Sequence, residues 1–218
     1  MKIKAVLFNF LGATVRQKDS CVITNCLSRA FTDHGFYFND EFFNSVIGKD
    51  KLVVIKEVVH LFNLPLSMAD TIYGSFKKNL KSNIENFSSV DDSLIVFCHL
   101  LRRGILTGIG TGLSREIFEI IFAHLGWSKR VFNYIGFFNE IAKNGHELSM
   151  ICDMMSIFRI GSSKEILKVG DTVADIREGK NAGCLTAIVL QGTQAKNELI
   201  EEKPDFILRS LSDLKMVV

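Results

Sequence analysis

The sequence predicts an α/β protein built on a Rossmann-like, doubly wound parallel sheet with an inserted all-helical segment. From about residue 88 onward, short apolar runs of strand length alternate with segments of helical periodicity. One further strand-like run stands near the N-terminus, and the residues between show helical periods without a clear strand. Strands that alternate with helices require crossovers that place the strands side by side in a parallel sheet. We therefore predict an α/β core formed by residues 1–15 and 88–218 and a helical cap formed by residues 16–87.

Each predicted core strand is a short β-prone run that ends at a glycine or a polar residue. The first covers residues 4–8 and is followed by a loop from Asn9 to Thr14. Helices are predicted over residues 91–103 and from Ser114 onward, because apolar residues recur there at helical spacing. The remaining predicted elements are strands over residues 105–112, 131–135, 166–169, 185–190 and 206–208 and a helix over residues 150–158.

The predicted cap contains four helices in succession. Their apolar faces lie within residues 22–31, 42–47, 52–62 and 67–80, and Gly35 can end the first of them. An insertion after the first strand can cover the carboxyl ends of the strands, where open α/β sheets bind their ligands.

Charge balance and cysteine usage argue against several classes of function. Lysine and arginine number 26 against 24 acidic residues and are spread along the chain, so we expect no nucleic-acid partner. No apolar run reaches membrane-spanning length and the N-terminal run is too short for a secretion signal, so we expect no membrane partner and no targeting segment. The five cysteines form no C-x-x-C pair, which favours free thiols in a reducing, cytoplasmic setting.

The stretch of residues 166–184 carries the strongest candidate site. A buried-strand pattern ends in Gly170-Asp171, and a helix-like segment with Asp175 follows. The Asp171 carboxylate is then expected at the carboxyl end of a strand, with Asp175 near it on the same edge. Two acids there suit Mg2+, which binds oxygen ligands. Alternatively, Asp171 is only a helix N-cap and Asp175 a solvated helix residue.

Four stretches, in their order along the chain, resemble the haloacid dehalogenase superfamily and, within it, the phosphonoacetaldehyde hydrolase branch. They are residues 48–51, 111–115, 169–183 and 204–208, and the likeness spans essentially the whole chain. The resemblance implies a Rossmann-like core, a helical cap, Mg2+ as cofactor and a small phosphorylated or phosphonate ligand. It also implies an aspartyl-phosphate intermediate on the first residue of the loop after strand one.

The chain departs from the family's pattern at the nucleophile. The resemblance places a nucleophilic Asp where the sequence has Asn9, whose neutral amide oxygen is a poor nucleophile. The change also removes one negative charge, so we expect Mg2+ binding to be weakened or absent. It also implies a metal site formed by Asn9, the backbone carbonyl of Leu11, Asp171 and Asp175. Many phosphatases of the superfamily carry an acid at the position of Leu11, although the phosphonatase branch lacks it. Ala13 stands where a threonine is usual.

Four further positions follow from the resemblance. Thr111 matches the phosphate-binding hydroxyl residue, and the Gly112 amide can help to hold an oxyanion; alternatively, Thr111 only ends its strand. Lys51 matches the lysine that forms a Schiff base with an aldehyde substrate, which requires a lowered pKa; an ordinary solvated lysine is the alternative. The cation expected before the helix at residue 150 is missing near Gly145. Lys143 substitutes for it only if the loop is rearranged, and is otherwise a surface lysine.

Two classes of function remain open. One is a Mg2+-dependent phosphatase or phosphonatase-like hydrolase that is catalytically impaired because Asn9 replaces the nucleophilic Asp. The other is a pseudoenzyme that keeps the fold and acts by binding a ligand or a protein. Partner binding predicts an exposed apolar patch on the cap or the sheet edge, which the abundant phenylalanines, for example Phe42 and Phe43, permit, and aromatic packing explains them equally well. A homodimer through the cap is a further expectation.

Overall fold

A parallel β-sheet forms the centre of the structure, a computed structural model that describes residues 2–18, 21–46, 49–138, 150–192 and 194–218. The strand order is β5-β4-β1-β6-β7-β8, and the neighbouring strands pair in parallel. The strands are β1 Ala5–Asn9, β4 Leu106–Thr111, β5 Tyr134–Phe137, β6 Ile166–Gly170, β7 Leu185–Val189 and β8 Phe206–Leu208, and a separate two-stranded sheet is formed by β2 Val15–Gln17 and β3 Phe87–Ser89. The predicted fold class is confirmed.

The register of the sheet brings three strand ends to one edge. Asn9 of β1 pairs with Gly110 of β4, and Phe8 pairs with Val169 of β6. Because all three strands run in the same direction, their carboxyl ends lie together, with β1 in the middle. This is the edge at which open α/β sheets bind ligands.

Strand β1 is buried on both faces of the sheet. Residues 5–8 are fully buried, as expected for a parallel strand that is covered on both sides. On one face the Phe8 ring packs edge-on against Phe97, with ring centroids 5.2 Å apart. Phe97 in turn packs edge-on against Trp127 at 5.4 Å and Phe132 at 4.9 Å. Such buried aromatic contacts fix the position of the strand that leads into the candidate site.

Helices follow the apolar periodicity of the sequence, and several begin at side-chain caps. Ser114 accepts a hydrogen bond from the backbone N–H of Ile117, and Asp50 accepts from those of Leu52 and Val53. The helices are α1 Val22–Thr32, α2 Asp40–Ser45, α3 Lys51–Leu61, α4 Leu66–Ser82, α5 Ser93–Arg102, α6 Arg115–His124, α7 Met150–Phe158, α8 Val173–Asn181 and α9 Lys196–Glu201.

The chain divides into two compact units. One comprises Met1–Arg16, Ser88–Thr111 and Trp127–Val218 and contains the parallel sheet; the other comprises Gln17–Phe87 and Gly112–Gly126 and is mainly helical. In the helical unit the phenylalanines pack on one another, as in the stacked pair Phe38 and Phe42, whose ring centroids are 4.1 Å apart. Packing within this unit therefore accounts for much of the aromatic content, and the homodimer through the cap stays a prediction.

Two local expectations differ from the structure. The sequence predicts the third core strand over residues 131–135, but the chain forms a 3-10 turn at Lys129–Val131 and the strand covers Tyr134–Phe137. Short strands β2 and β3 also lie at the two ends of the segment that we predicted to be all helical. In the ranges that the structure describes, no helix is long and apolar enough to cross a membrane.

Candidate functional site

A tight turn after β1 carries Asn9 at the sheet edge. The Gly12 N–H donates to the Val15 carbonyl at 2.8 Å, and Gly12 has a φ of 90°, which glycine adopts readily. The buried Thr14 hydroxyl donates to the Phe10 carbonyl at 2.7 Å and to the Asn9 carbonyl at 3.2 Å. These bonds hold the backbone around Asn9 in one conformation.

The Asn9 side chain bridges the turn and the neighbouring strand end. Its Nδ2 atom donates to the Leu11 carbonyl at 2.8 Å and to Asp171 Oδ1 at 3.2 Å. A rotated amide would place Oδ1 against these two acceptors, so the hydrogen-bond network sets the orientation. The structure therefore brings together three residues that the sequence predicted for one site: Asn9, Leu11 and Asp171.

The Asp171 carboxylate is fully buried between two glycines. A Cβ atom added at Gly12 would lie 2.0 Å from Asp171 Oδ2, and one added at Gly192 would lie 2.1 Å from Asp171 Cβ. Neither position has room for a side chain. The carboxylate is thus held by close backbone approach on both sides, in contact with the Asn9 amide.

Asp175 lies on the first turn of α8 and organises the turn from β6 into that helix. Its Oδ2 accepts from the backbone N–H groups of Asp171 and Thr172, both at 3.2 Å, and from the Thr172 hydroxyl at 2.7 Å. Thr172 in return accepts from the Asp175 N–H, which completes a capping box. The alternative in which Asp171 is the helix N-cap and Asp175 a solvated helix residue is therefore wrong, because Thr172 is the N-cap and Asp175 is buried.

The buried side chain of Lys168 forms an ion pair with the second carboxylate oxygen of Asp175, Oδ1. Lys168 Nζ lies 3.1 Å from Asp175 Oδ1 and 2.7 Å from Glu178 Oε2. Burial by itself lowers the pKa of this lysine, but the two carboxylates outweigh burial and raise its pKa above the ordinary value. Because both Asp175 oxygens are engaged, the contacts favour a positioning role for this residue, and its role as a metal ligand stays a prediction.

Thr111 ends β4 at the same edge, next to the pairing of Asn9 with Gly110. It is 3% exposed, and Gly112 follows it in the chain. The position is consistent with the phosphate-binding role that the resemblance implies, and that role stays a prediction.

Lys51 is buried at the start of α3. Its Nζ donates to the carbonyls of Val46 at 3.0 Å and Lys49 at 2.8 Å. Burial lowers its pKa to about 8, against a smaller opposing effect of Asp50. The alternative that Lys51 is an ordinary solvated lysine is therefore wrong, because its side chain is buried. Lys143 lies outside the described residues.

Sequence reasoning missed two residues that shape the site. Lys168 stands inside the apolar run of β6, and a lysine in a buried strand, followed by acids at 175 and 178, was the available signal. Gly192 had no local signal, because its role depends on close approach to Asp171 from a distant part of the chain.

The arrangement around Asn9 does not fit the Mg2+ that the resemblance implies. Hydrogen atoms of the Asn9 amide lie between the Leu11 carbonyl and the Asp171 carboxylate, two oxygens that the predicted metal site requires. The second predicted carboxylate, that of Asp175, is paired with Lys168. Over the described residues, no group of three or more His, Cys, Asp and Glu side chains is placed to hold a metal ion.

Known proteins with similar sequences are hydrolases of phosphonoacetaldehyde. The family model described as HAD-hydrolase-like matches residues 141–214. The bifunctional phosphonoacetaldehyde hydrolase/aminoethylphosphonate transaminase of Clostridioides difficile is 24% identical over 88% of this chain and 32% of the relative. The phosphonoacetaldehyde hydrolase of Parabacteroides distasonis is 30% identical over 61% of this chain and 51% of the relative. The matches thus span about a third and about half of these two relatives.

A solved structure shares the fold over the full length of the chain. A predicted phosphoglycolate phosphatase from Haemophilus somnus aligns with a TM-score of 0.73 at 16% identity, covering 100% of this chain and 98% of that one. At this identity the likeness concerns the fold alone. The parallel sheet, the Gly170-Asp171 turn at its edge, the family model and these relatives agree, and the chain is a member of the haloacid dehalogenase superfamily.

Proposed function

We propose that this protein is a phosphatase- or phosphonatase-like hydrolase of the superfamily whose phosphoryl-transfer step is impaired by Asn9. The observation that carries the proposal is the identity and bonding of residue 9 at the end of β1. Covalent phosphoryl transfer needs an anionic oxygen there to attack phosphorus. A neutral amide lacks that charge, and its nitrogen is bound to Leu11 and Asp171.

The substrate class follows from the relatives and from Lys51. The similar curated proteins act on phosphonoacetaldehyde, which supports a small organophosphorus compound as ligand. Lys51 carries an amine whose pKa is lowered by burial to about 8, so about a tenth of it is neutral at pH 7, far more than for a solvated lysine. A neutral amine attacks an aldehyde carbon, and this supports an aldehyde-bearing member of that class.

A second candidate is a pseudoenzyme that binds a ligand or a protein without turnover. The same Asn9 contacts favour it, because the amide joins the turn after β1 to Asp171 and supplies no anionic oxygen for attack. The two candidates differ in what happens when a carboxylate is restored at position 9.

The test compares the parent protein with Asn9→Asp, using phosphonoacetaldehyde and p-nitrophenyl phosphate in Mg2+-containing buffer. We expect Asn9→Asp to exceed the parent by at least ~10³-fold, because removal of a nucleophile costs on the order of this factor or more. Asn197→Asp, an added carboxylate at an exposed helix position, serves as control and should leave the parent's rate unchanged.

Two results would contradict the proposal in different ways. If the parent turns over substrate as fast as Asn9→Asp, Asn9 does not limit the reaction and another nucleophile exists. If neither protein turns over any substrate, the impairment does not lie in Asn9 alone, and the pseudoenzyme becomes the better account.

A further inference from the structure

We propose that the side-chain amide of Asn9 takes the place of a divalent cation in this chain, so that the site closes without metal. The inference rests on the contacts of Asn9 and not on the loss of turnover. A disabled nucleophile with normal metal binding is a separate outcome, and the experiment below distinguishes the two.

The first step concerns the acceptors of the Asn9 amide. One NH2 group donates to the Leu11 carbonyl at 2.8 Å and to Asp171 Oδ1 at 3.2 Å. The first bond closes the turn after β1, and the second joins that turn to the end of β6. In a metal site, a cation that binds both oxygens would make these same two connections.

The second step concerns charge. A hard divalent cation is usually held by one or two carboxylates together with further oxygens. Asn9 is neutral, and Asp175 already balances Lys168 at 3.1 Å. Asp171 is the other predicted carboxylate ligand, and the partial positive charge of the Asn9 amide N–H is directed at it. A cation would have to break both amide bonds to reach the same oxygens.

The third step concerns space. The Gly12 backbone approaches Asp171 Oδ2 so closely that an added Cβ would lie 2.0 Å away, and Gly192 approaches Asp171 Cβ in the same manner. The carboxylate therefore cannot swing away to form a wider site without moving the backbone on both sides. The Asn9 amide is held against a fixed acceptor, which makes its bonds persistent.

The experiment measures metal binding and thermal unfolding of the purified chain, with no activity readout. The parent, Asn9→Asp and the control Asn197→Asp are each unfolded in EDTA and in a series of Mg2+ concentrations that increases tenfold at each step up to about 10 mM. Mn2+ binding is followed in parallel by electron paramagnetic resonance.

We expect the unfolding midpoints of the parent and of Asn197→Asp to change by less than about 1 °C between EDTA and Mg2+. Asn9→Asp replaces the donor with a second carboxylate, so its midpoint falls in EDTA and recovers by about 5–10 °C in saturating Mg2+. Its Mn2+ affinity should exceed that of the parent by about 100-fold.

The inference is overturned if the parent binds Mn2+ at one site as tightly as Asn9→Asp, or if Mg2+ raises the parent's midpoint as much. Should Asn9→Asp fail to fold, Mn2+ titrations of the parent and of Asp171→Ala provide the test. If the parent binds Mn2+ and Asp171→Ala does not, the inference is refuted. If the parent is inactive but binds Mn2+ through Asp171, the inference that the Asn9 amide replaces a cation is refuted. The proposal that Asn9 impairs phosphoryl transfer would then still stand.

Discussion

Replacing Lys168 by methionine tests how the strand end that carries Asp171 is held. Lys168 is 2% exposed, and its Nζ contacts Asp175 at 3.1 Å and Glu178 at 2.7 Å. Asp175 in turn accepts hydrogen bonds from the backbone of Asp171 and Thr172. Methionine fills similar volume and keeps the apolar contacts, but it leaves two carboxylates side by side without their cation.

The size of the effect follows from this burial. Removing one partner of a buried ion pair costs about 3–5 kcal/mol. Three donors to Asp175 Oδ2 remain in the variant, so we take the lower end, about 3 kcal/mol. For a chain of this size, each kcal/mol lowers the unfolding midpoint by about 2–4 °C, which gives a fall of about 6–12 °C. The exposed Lys164→Met should change stability by less than about 0.5 kcal/mol.

The assay is thermal unfolding followed by circular dichroism, repeated between about pH 6 and 9. The pKa of Lys168 is raised in the folded state, so its stabilisation is complete below the unfolded value of about 10.4 and is lost only above it. The difference between parent and Lys168→Met should therefore stay constant across this range. Adding Asp175→Asn to Lys168→Met removes one of the two unpaired charges, leaves that of Glu178, and should recover part of the loss. A fall no larger than that of Lys164→Met would refute the reasoning.

Two further predictions concern other buried groups. Burial lowers the pKa of Lys51 to about 8, so between about pH 8 and 10 the unfolded chain holds more protons and the free energy of unfolding should rise with pH, by about 3 kcal/mol at most. Denaturant titrations at the two pH values should show this rise weakened in Lys51→Met and kept in Lys56→Met; equal rises in both would contradict it. Gly12→Ala should destabilise the protein by at least about 2 kcal/mol more than Gly35→Ala, because both glycines have positive φ but only an added Cβ at Gly12 meets Asp171, at 2.0 Å. Equal effects in thermal unfolding would show that the turn yields to the added methyl group.

Much of the fold could be read from the sequence because strands and helices have different apolar periods. The helical segments between residues 22 and 82 and the strand that ends at Gly170 are visible from local pattern alone. The third core strand was placed too early because its start depends on a partner. Asn133 exchanges hydrogen bonds with Thr107 of β4, and pairing begins at Tyr134 only after the chain leaves a 3-10 turn. No pattern within residues 131–137 contains that information.

The sequence by itself determined the alternation of strands and helices, the acid at a strand end and the amide at residue 9, since these depend on residue type and spacing. Only the tertiary structure decided that β1 lies between β4 and β6, which brings Asn9 against Asp171. It also decided that Asp175 is paired with Lys168 inside the protein, a contact the sequence spacing did not reveal. The physical reason is that a side chain's hydrogen-bond partners depend on which distant strand ends meet at its position. In the unfolded chain the Asn9 amide can donate to any nearby acceptor. In the folded protein the order of the strands determines which acceptors lie within reach.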